Sequence, residues 1–314
     1  MELFKATALL LAGFVLLIKG ADYFVEGSSS VAKKLRVPSL IIGLTIVAMG
    51  TSLPELSVSI NASMANSNAL AVSNVIGSNI FNLMVVLGAS ALMNAIEVDE
   101  SVVKKNFPFT IACAALLLLL GWRGMALGRG DGLIFLVIFV GFLLYQVLTA
   151  MRARKAALAE DDEIKDISML LAAACIVGGA AAVRFGGDWV VSGAKTIAAF
   201  CGMSENLIGL TIVALGTSLP ELVTSVTAAR KHELDMAVGN VVGSNVFNIL
   251  MILGTASALS PIAFIMENVV DIALLIAFSL LVWAACATKR RLGRMEGALM
   301  LAVYAAYTVY ICLR

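Results

Sequence analysis

Ten apolar stretches, most of them about 20 residues long, follow one another along the chain. A helix needs about 20 mostly apolar residues to cross the hydrocarbon core of a bilayer. The pattern therefore predicts an all-α integral membrane protein with ten transmembrane helices, in which the lipid bilayer surrounds most of the chain. The predicted spans are 4–24, 38–64, 70–95, 105–122, 131–151, 167–190, 205–229, 236–259, 269–287 and 296–313.

A long internal repeat divides the chain. Residues 43–92 recur as residues 209–258 at a constant offset of 166 without a gap, and 26 of the 50 aligned positions are identical. The shared motifs GTSLPE and GSNxFN are too specific for accidental similarity between apolar helices. Because each half carries five predicted spans, the second half begins on the opposite side of the membrane. The sequence therefore predicts two inverted five-helix repeats with broken helices at the centre, the arrangement of many secondary transporters.

The Lys and Arg residues predict the orientation and the boundaries. Fifteen of the 22 lie in one set of loops and six in the other set, with Lys19 inside the first span. Cytoplasmic loops carry the excess of positive charge. We therefore expect a protein of the plasma or inner membrane with both termini outside the cytoplasm. The first repeat is expected over 1–151, a short cytoplasmic linker over 152–166, and the second repeat over 167–314.

Composition excludes several classes of protein. The chain is 61% hydrophobic and only 14% charged, whereas soluble domains carry about a quarter charged residues; a water-soluble enzyme is excluded. With a net charge of +1 and no concentrated basic face, nucleic acid is not an expected partner. The five scattered cysteines and the single His232 predict neither a disulfide framework nor a transition-metal cofactor. The oligomeric state is left open.

The motif GTSLPE places a glutamate directly after a proline inside an apolar span of each repeat. Pro54 and Pro220 lack an amide hydrogen and clash with the preceding turn, so the helix is expected to kink or open there and to free backbone carbonyl groups. Glu55 and Glu221 would then lie within the membrane. A charge at that depth costs roughly 2.5–3.5 kcal/mol on insertion scales, and intramembrane acids usually serve a function.

Hydroxyl and amide side chains accompany each glutamate. Thr51 and Ser52 precede Glu55 by four and three residues, so a continuing helix would place all three on one side. Along GSNxFN, the residues Ser78 and Asn82 follow Asn74 at helical spacing. Their oxygens are hard ligands that suit sodium and calcium. The matching residues of the second repeat are Thr217, Ser218, Glu221, Asn240, Ser244 and Asn248.

Simpler roles are expected for some of the polar residues. Asn74 and Asn240 either line the site or link neighbouring helices. Asp22 and Asp188 are expected near helix ends, at the membrane interface. The hydroxyl groups expected to bond back to their own helix are those of Ser57, Ser59 and Ser225.

At these motifs the chain resembles the cation/calcium exchanger superfamily, and in particular the prokaryotic sodium/calcium antiporters, whose two α-repeats carry the same pair of motifs. The resemblance implies ten helices, an outside amino terminus, four central ion sites and exchange of several sodium ions for one calcium ion. It implies that Ala48 and Ala214 contribute carbonyl oxygens. The implied ligands are Ala48, Thr51, Ser52, Glu55, Ser78 and Asn82 in the first repeat and Ala214, Thr217, Ser218, Glu221, Ser244 and Asn248 in the second.

One departure from the family pattern affects the expected function. Several relatives carry an aspartate at one of the positions occupied here by Asn82 and Asn248. Because this chain has an amide at both positions, Glu55 and Glu221 are the expected central carboxylates. We expect a secondary-active antiporter that exchanges sodium for calcium, with a proton- or potassium-coupled calcium exchanger on the same scaffold as the alternative. A passive cation channel and an intramembrane protease-like acid pair are the competing classes.

Overall fold

Helices make up nearly all of the structure. The computed structural model describes residues 2–64, 68–157, 168–203 and 214–313. Within these ranges eight helices are long and apolar enough to cross a membrane, or nine if one pair bent by 45° forms a single span. The helices are α1 (Glu2–Leu35), α2 (Ser39–Thr51), α3 (Leu53–Met64), α4 (68–93), α5 (Val102–Trp122), α6 (Arg129–Ala157), α7 (Met169–Phe200), α8 (Ala214–Gly216), α9 (Leu219–Arg230), α10 (Leu234–Leu259), α11 (Met266–Lys289) and α12 (Arg294–Leu313).

The predicted spans coincide with these helices in position but differ in length. The predicted span 205–229 lies partly outside the described residues. Most of the predicted linker 152–166 also lies outside them, and its described part, up to Ala157, continues helix α6. Helices α1 and α7 extend about ten residues beyond the predicted ends. Asp22 and Asp188 therefore lie well inside long helices, and the prediction that they sit near helix ends was wrong. Buried apolar and small residues such as Val25 and Val190 continue the packed face past each aspartate.

Helices α1 and α7 are in direct backbone contact. A β-carbon added at Gly13 would lie 2.8 Å from the Val190 amide nitrogen. One added at Gly27 would lie 2.7 Å from the Ala172 carbonyl oxygen. Because the start of α1 meets the end of α7, the helices run antiparallel, and only glycine permits this separation. The glycines of the shared face, spaced by seven residues in each helix, are Gly13, Gly20 and Gly27 in α1 and Gly179, Gly186 and Gly193 in α7.

Two short antiparallel sheets connect loops of the first half with loops of the second. Strand β1 (Ile96–Glu97) pairs with β4 (Arg291–Leu292), and β2 (Ala126–Leu127) pairs with β3 (Ile262–Ala263). Helix α5 runs from the loop of β1 to the loop of β2, so the two sheets lie at opposite ends of the bundle. Each end is thereby closed by one contact between the halves.

The packed core surrounds α4 and α10. In the most apolar 18-residue stretch of α10, 94% of the residues are buried inside the protein, whereas in the corresponding stretch of α12 only 17% are buried. The outer helices expose large apolar side chains, including Val137, Leu170 and Leu313, as expected where hydrocarbon replaces water. The two helices that carry GSNxFN are therefore the central ones, and their polar residues lie in the interior.

Candidate functional site

Both GTSLPE motifs interrupt their helices at the serine. Ser52 separates α2 from α3 with φ −85° and ψ 9°, and Ser218 separates α8 from α9 with φ −97° and ψ 9°. Pro54 and Pro220 follow in the first turn of the next helix, where a missing amide hydrogen is tolerated. The local sequence thus breaks the helix three residues before each glutamate, in agreement with the predicted interruption at the motif.

Hydrogen bonds cross between the two breaks. Ser52 Oγ donates to Glu221 Oε1 over 2.8 Å, and Ser218 Oγ donates to Glu55 Oε1 over 3.1 Å. Both glutamates have no exposed surface. The structure therefore brings the two acids to a shared interior site, and each is held by the serine of the other repeat.

Several buried oxygens of the implied ligands have no hydrogen-bond partner among the described residues. A buried polar atom left without a partner costs about 1–3 kcal/mol, and more when it is charged. A cation that binds several of these atoms at once would remove that cost. Carboxylate, hydroxyl and amide oxygens are the donors that sodium and calcium prefer. The unpartnered oxygens are Glu55 Oε2, Glu221 Oε2, Asn82 Oδ1, Ser244 Oγ and Asn248 Oδ1.

Of the other implied ligands, Ser78 has a described contact with the serine of the opposite break. Ser78 Oγ is 3.1 Å from Ser218 Oγ. The Ala48 carbonyl oxygen accepts from the Ser52 amide over 3.1 Å and from Thr51 Oγ1 over 3.3 Å, so a cation bound there would replace the hydroxyl contact. Thr217 is half-buried. Ala214 begins α8, and its side chain is outside the described part of the chain.

Asn74 and Asn240 link neighbouring helices. Asn74 Nδ2 donates to Ser59 Oγ over 3.3 Å, and Asn240 Nδ2 donates to Ser225 Oγ over 2.8 Å. Asn240 Oδ1 also lies 3.2 Å from Thr51 Oγ1, at the break of the other repeat. The two serines thus accept interhelical bonds, and the structure favours the linking role over direct lining of the site.

Asn79 and Asn245, the asparagines of the GSN triplets, were not singled out from the sequence. Asn79 Nδ2 donates to the Asn245 carbonyl oxygen and Asn245 Nδ2 donates to the Asn79 carbonyl oxygen, each over 3.2 Å. Asn248 Nδ2 also donates to Asn79 Oδ1 over 3.0 Å. Identity of the GSN triplet in both repeats was the available signal, but the stripe Asn74, Ser78 and Asn82 drew attention to a different face of the helix.

The central helices also change their winding at the site. π-helical segments begin at Asn82 and at Asn248, over Asn82–Val86 and Asn248–Leu253. π-helical turns occur frequently at functional sites because they shift side chains relative to a regular helix. Apolar periodicity alone did not predict them.

A crevice of about 300 Å³ leads to the helix breaks. Its wall includes both prolines of the motifs, Gly216 and Thr217, together with the ion pair between Arg184 and Asp188 of α7. Among the described residues no cluster of three or more His, Cys, Asp or Glu could hold a metal.

Comparison with known proteins decides the family. The family model described as sodium/calcium exchanger protein matches residues 5–148 and 171–313. The chain belongs to the sodium/calcium exchanger family. This confirms the family indicated by the duplicated motifs.

Individual members of the family match over almost the whole chain. This chain is 40% identical to the putative antiporter CaxA of Alkalimonas amylolytica, and the match covers 96% of this chain and 97% of the relative. It is 30% identical to the sodium/calcium exchanger MaX1 of Methanosarcina acetivorans, over 96% and 97%. The solved structure of the sodium–calcium exchanger NCX_Mj soaked with sodium and strontium superposes with a TM-score of 0.85 at 32% identity, covering 97% of this chain and 98% of that one. The all-helical membrane fold is thereby confirmed.

The crossed serine bonds can be tested separately from the acids. In Ser52→Ala and Ser218→Ala, one oxygen of the opposing glutamate loses its hydrogen-bond donor, and we expect calcium binding to weaken about five- to tenfold, in line with a bond of about 1–1.5 kcal/mol. Calcium titration of the purified protein measures the change. Ser57→Ala, at an exposed position of the same segment, is the matched control; equal effects at all three positions would show that the crossed bonds do not support the site.

Proposed function

We propose that the chain is a secondary-active antiporter that exchanges sodium for calcium across the membrane by alternating access. The observation that carries the proposal is the pair of fully buried glutamates, Glu55 and Glu221, at two facing helix breaks. Each has one oxygen held by a serine and one oxygen without a described partner. The names of the relatives MaX1 and NCX_Mj support sodium and calcium as the cargo.

The proposed ligand set combines the unpartnered oxygens with the other ligands that the resemblance implies. Glu55 and Glu221 would be shared between calcium and the adjacent sodium positions, because they are the central charged groups. Ala48 and Ala214 would contribute backbone carbonyl oxygens. The full proposed set is Ala48, Thr51, Ser52, Glu55, Ser78, Asn82, Ala214, Thr217, Ser218, Glu221, Ser244 and Asn248.

Charge explains why such a site would exchange ions and not merely release them. With both glutamates ionised the site carries a charge of −2, which one calcium ion or two sodium ions neutralise and three sodium ions raise to +1. An empty site would move two uncompensated anions through a water-excluded interior, at a cost of at least several kcal/mol per ion. Return without a cation is therefore slow, and sodium entering down its gradient would drive calcium out.

We further propose ten spans arranged as inverted halves, 1–151 and 167–314, joined by a cytoplasmic linker over 152–166, with both termini outside. Three observations support this arrangement. Helices α1 and α7, which carry the same glycine spacing at an offset of 166, run antiparallel. The two small sheets pair loops of one half with loops of the other at opposite ends of the bundle. Asn79 and Asn245, also 166 residues apart, exchange reciprocal bonds.

A calcium exchanger coupled to protons or potassium is the second candidate. The specific observation in its favour is that Asn82 and Asn248 are amides, so that Glu55 and Glu221 are the only carboxylates in the proposed ligand set. Fewer negative charges hold fewer sodium ions. The scaffold and the glutamates would serve either coupling ion.

The dependence of calcium flux on the opposing cation tests the proposal. In calcium-loaded proteoliposomes containing the purified protein, we expect rapid efflux with external sodium and efflux near the protein-free rate with external potassium, choline or a pH gradient. Efflux driven by potassium or protons would favour the second candidate. Efflux without any counter-cation would identify a channel. Repeating the assay at clamped membrane potentials shows whether transport carries net charge.

A further inference from the structure

The orientation of the Asn79 side chain is determined by the chemistry of its neighbours. One of its amide ends faces the Asn245 backbone carbonyl oxygen at 3.2 Å. A carbonyl oxygen can only accept a hydrogen bond, so the end that faces it must be the donor Nδ2. The acceptor Oδ1 of Asn79 therefore points to the other side, where it meets the side chain of Asn248.

Asn79 in turn determines the orientation of Asn248. The Asn248 amide lies 3.0 Å from Asn79 Oδ1, and an acceptor in that position requires a donor, so Asn248 presents Nδ2 to it. Its own Oδ1 must then face the opposite direction. That oxygen is fully buried and has no hydrogen-bond partner among the described residues.

The corresponding bond is missing in the first repeat. Asn245 Nδ2 donates to the Asn79 carbonyl oxygen over the same 3.2 Å, so each asparagine donates one such bond across the contact between α4 and α10. However, Asn245 Oδ1 and the Asn82 amide both lack a described partner. The chain thus contains two asparagines with the same interhelical bond, of which one also holds the amide of a proposed ligand.

We propose that Asn79 is a positioning residue that turns the Asn248 side-chain oxygen toward the transported cation. The inference rests on the proposed function, since it assigns Asn79 to that same site. Without Asn79, the Asn248 amide can rotate and present its NH2 group, which carries partial positive charge and repels a cation. Holding the oxygen in place before the ion arrives removes this unproductive orientation and strengthens binding.

Paired leucine variants test the inference, because leucine has the same branched heavy-atom skeleton as asparagine but no polar atoms. Asn79→Leu and Asn245→Leu each remove the bond to the facing backbone carbonyl, and Asn79→Leu also removes the bond from Asn248. Asn79→Leu should therefore lower the thermal unfolding midpoint at least as much as Asn245→Leu. We expect Asn79→Leu to weaken calcium binding about tenfold, the value of one well-placed hydrogen bond, and Asn245→Leu to change it less than about twofold. Calorimetric calcium titration of the purified proteins in detergent measures both. Asn79→Ala repeats the comparison if leucine prevents folding.

A double-mutant cycle separates positioning from general damage. In the Asn248→Leu background, Asn79→Leu should cause no further loss of calcium affinity, because the oxygen that it positions is gone. Equal losses in Asn79→Leu and Asn245→Leu, or fully additive losses with Asn248→Leu, would overturn the inference. Absence of sodium-driven calcium flux from the unmodified protein would instead remove the proposed function and leave the hydrogen-bond geometry untouched.

Discussion

Replacing Glu55 or Glu221 by glutamine is expected to abolish sodium-driven calcium flux in proteoliposomes. Glutamine keeps the size of the side chain and an acceptor for the crossed serine bond, but it removes one of the two negative charges. One unit charge about 4 Å from a cation is worth roughly 4 kcal/mol for each positive charge at an effective dielectric constant of 20. Calcium affinity should therefore fall by at least about 100-fold, and sodium affinity should fall less, because sodium carries half the charge.

The acid variants have a matched control on the surface. Glu267 is exposed near the start of α11, and Glu267→Gln should transport calcium at the unmodified rate. Because the structure places Glu55 and Glu221 equivalently across the two breaks, the two variants should be impaired to a similar degree. Full flux in either one would remove the glutamates from the proposed site.

A large loss of stability is expected when a methyl group is added at the contact between α1 and α7. Gly178 and Gly179 are adjacent in α7, yet a β-carbon at Gly179 would lie 2.6 Å from the Phe24 amide nitrogen, whereas one at Gly178 would meet no described atom within 4 Å. Gly179→Ala must push two backbones apart, and we expect it to lower the free energy of unfolding by about 1–3 kcal/mol. Gly178→Ala should be neutral or should stabilise the helix by up to about 1 kcal/mol, since alanine is the better helix former.

Thermal unfolding in detergent, followed by circular dichroism, compares the two glycine variants. Both variants add the same methyl group to the same helix at consecutive positions. Differences in composition and in helix propensity therefore cancel when the two unfolding midpoints are compared. Similar stabilities would show that α1 and α7 can separate without cost, which would contradict the backbone contact described above.

The two helix breaks and the burial of the glutamates could be predicted from the sequence because their chemistry is local. Pro54 cannot donate a hydrogen bond, so the break before it follows from the residue itself. Glu55 and Glu221 are costly in an apolar helix, and their recurrence at one offset indicated a shared role. Helix positions were predicted from apolar run length, although α1 and α7 extend farther than their apolar runs because glycines let them pack against each other.

The sequence did not predict which side chains are hydrogen-bonded to each other inside the site. Spacing along one helix predicted that Ser52 lies on the same side as Glu55, three residues later. In the structure the helix breaks at Ser52, and its hydroxyl group instead reaches Glu221 in the other repeat. In the same way, helical spacing favoured Asn74, Ser78 and Asn82, whereas the contact between the central helices is made by Asn79 and Asn245.

The sequence by itself determined that this is a helical membrane protein of duplicated design with an acid beside a helix break in each copy, since apolar run length, the missing proline amide hydrogen and the cost of a buried charge all act within a few residues. Only the tertiary structure decided which serine holds which glutamate and which asparagine meets its counterpart. Those contacts join residues 163 to 169 positions apart. They depend on how closely two backbones approach and how two breaks are turned toward each other, which no local pattern encodes.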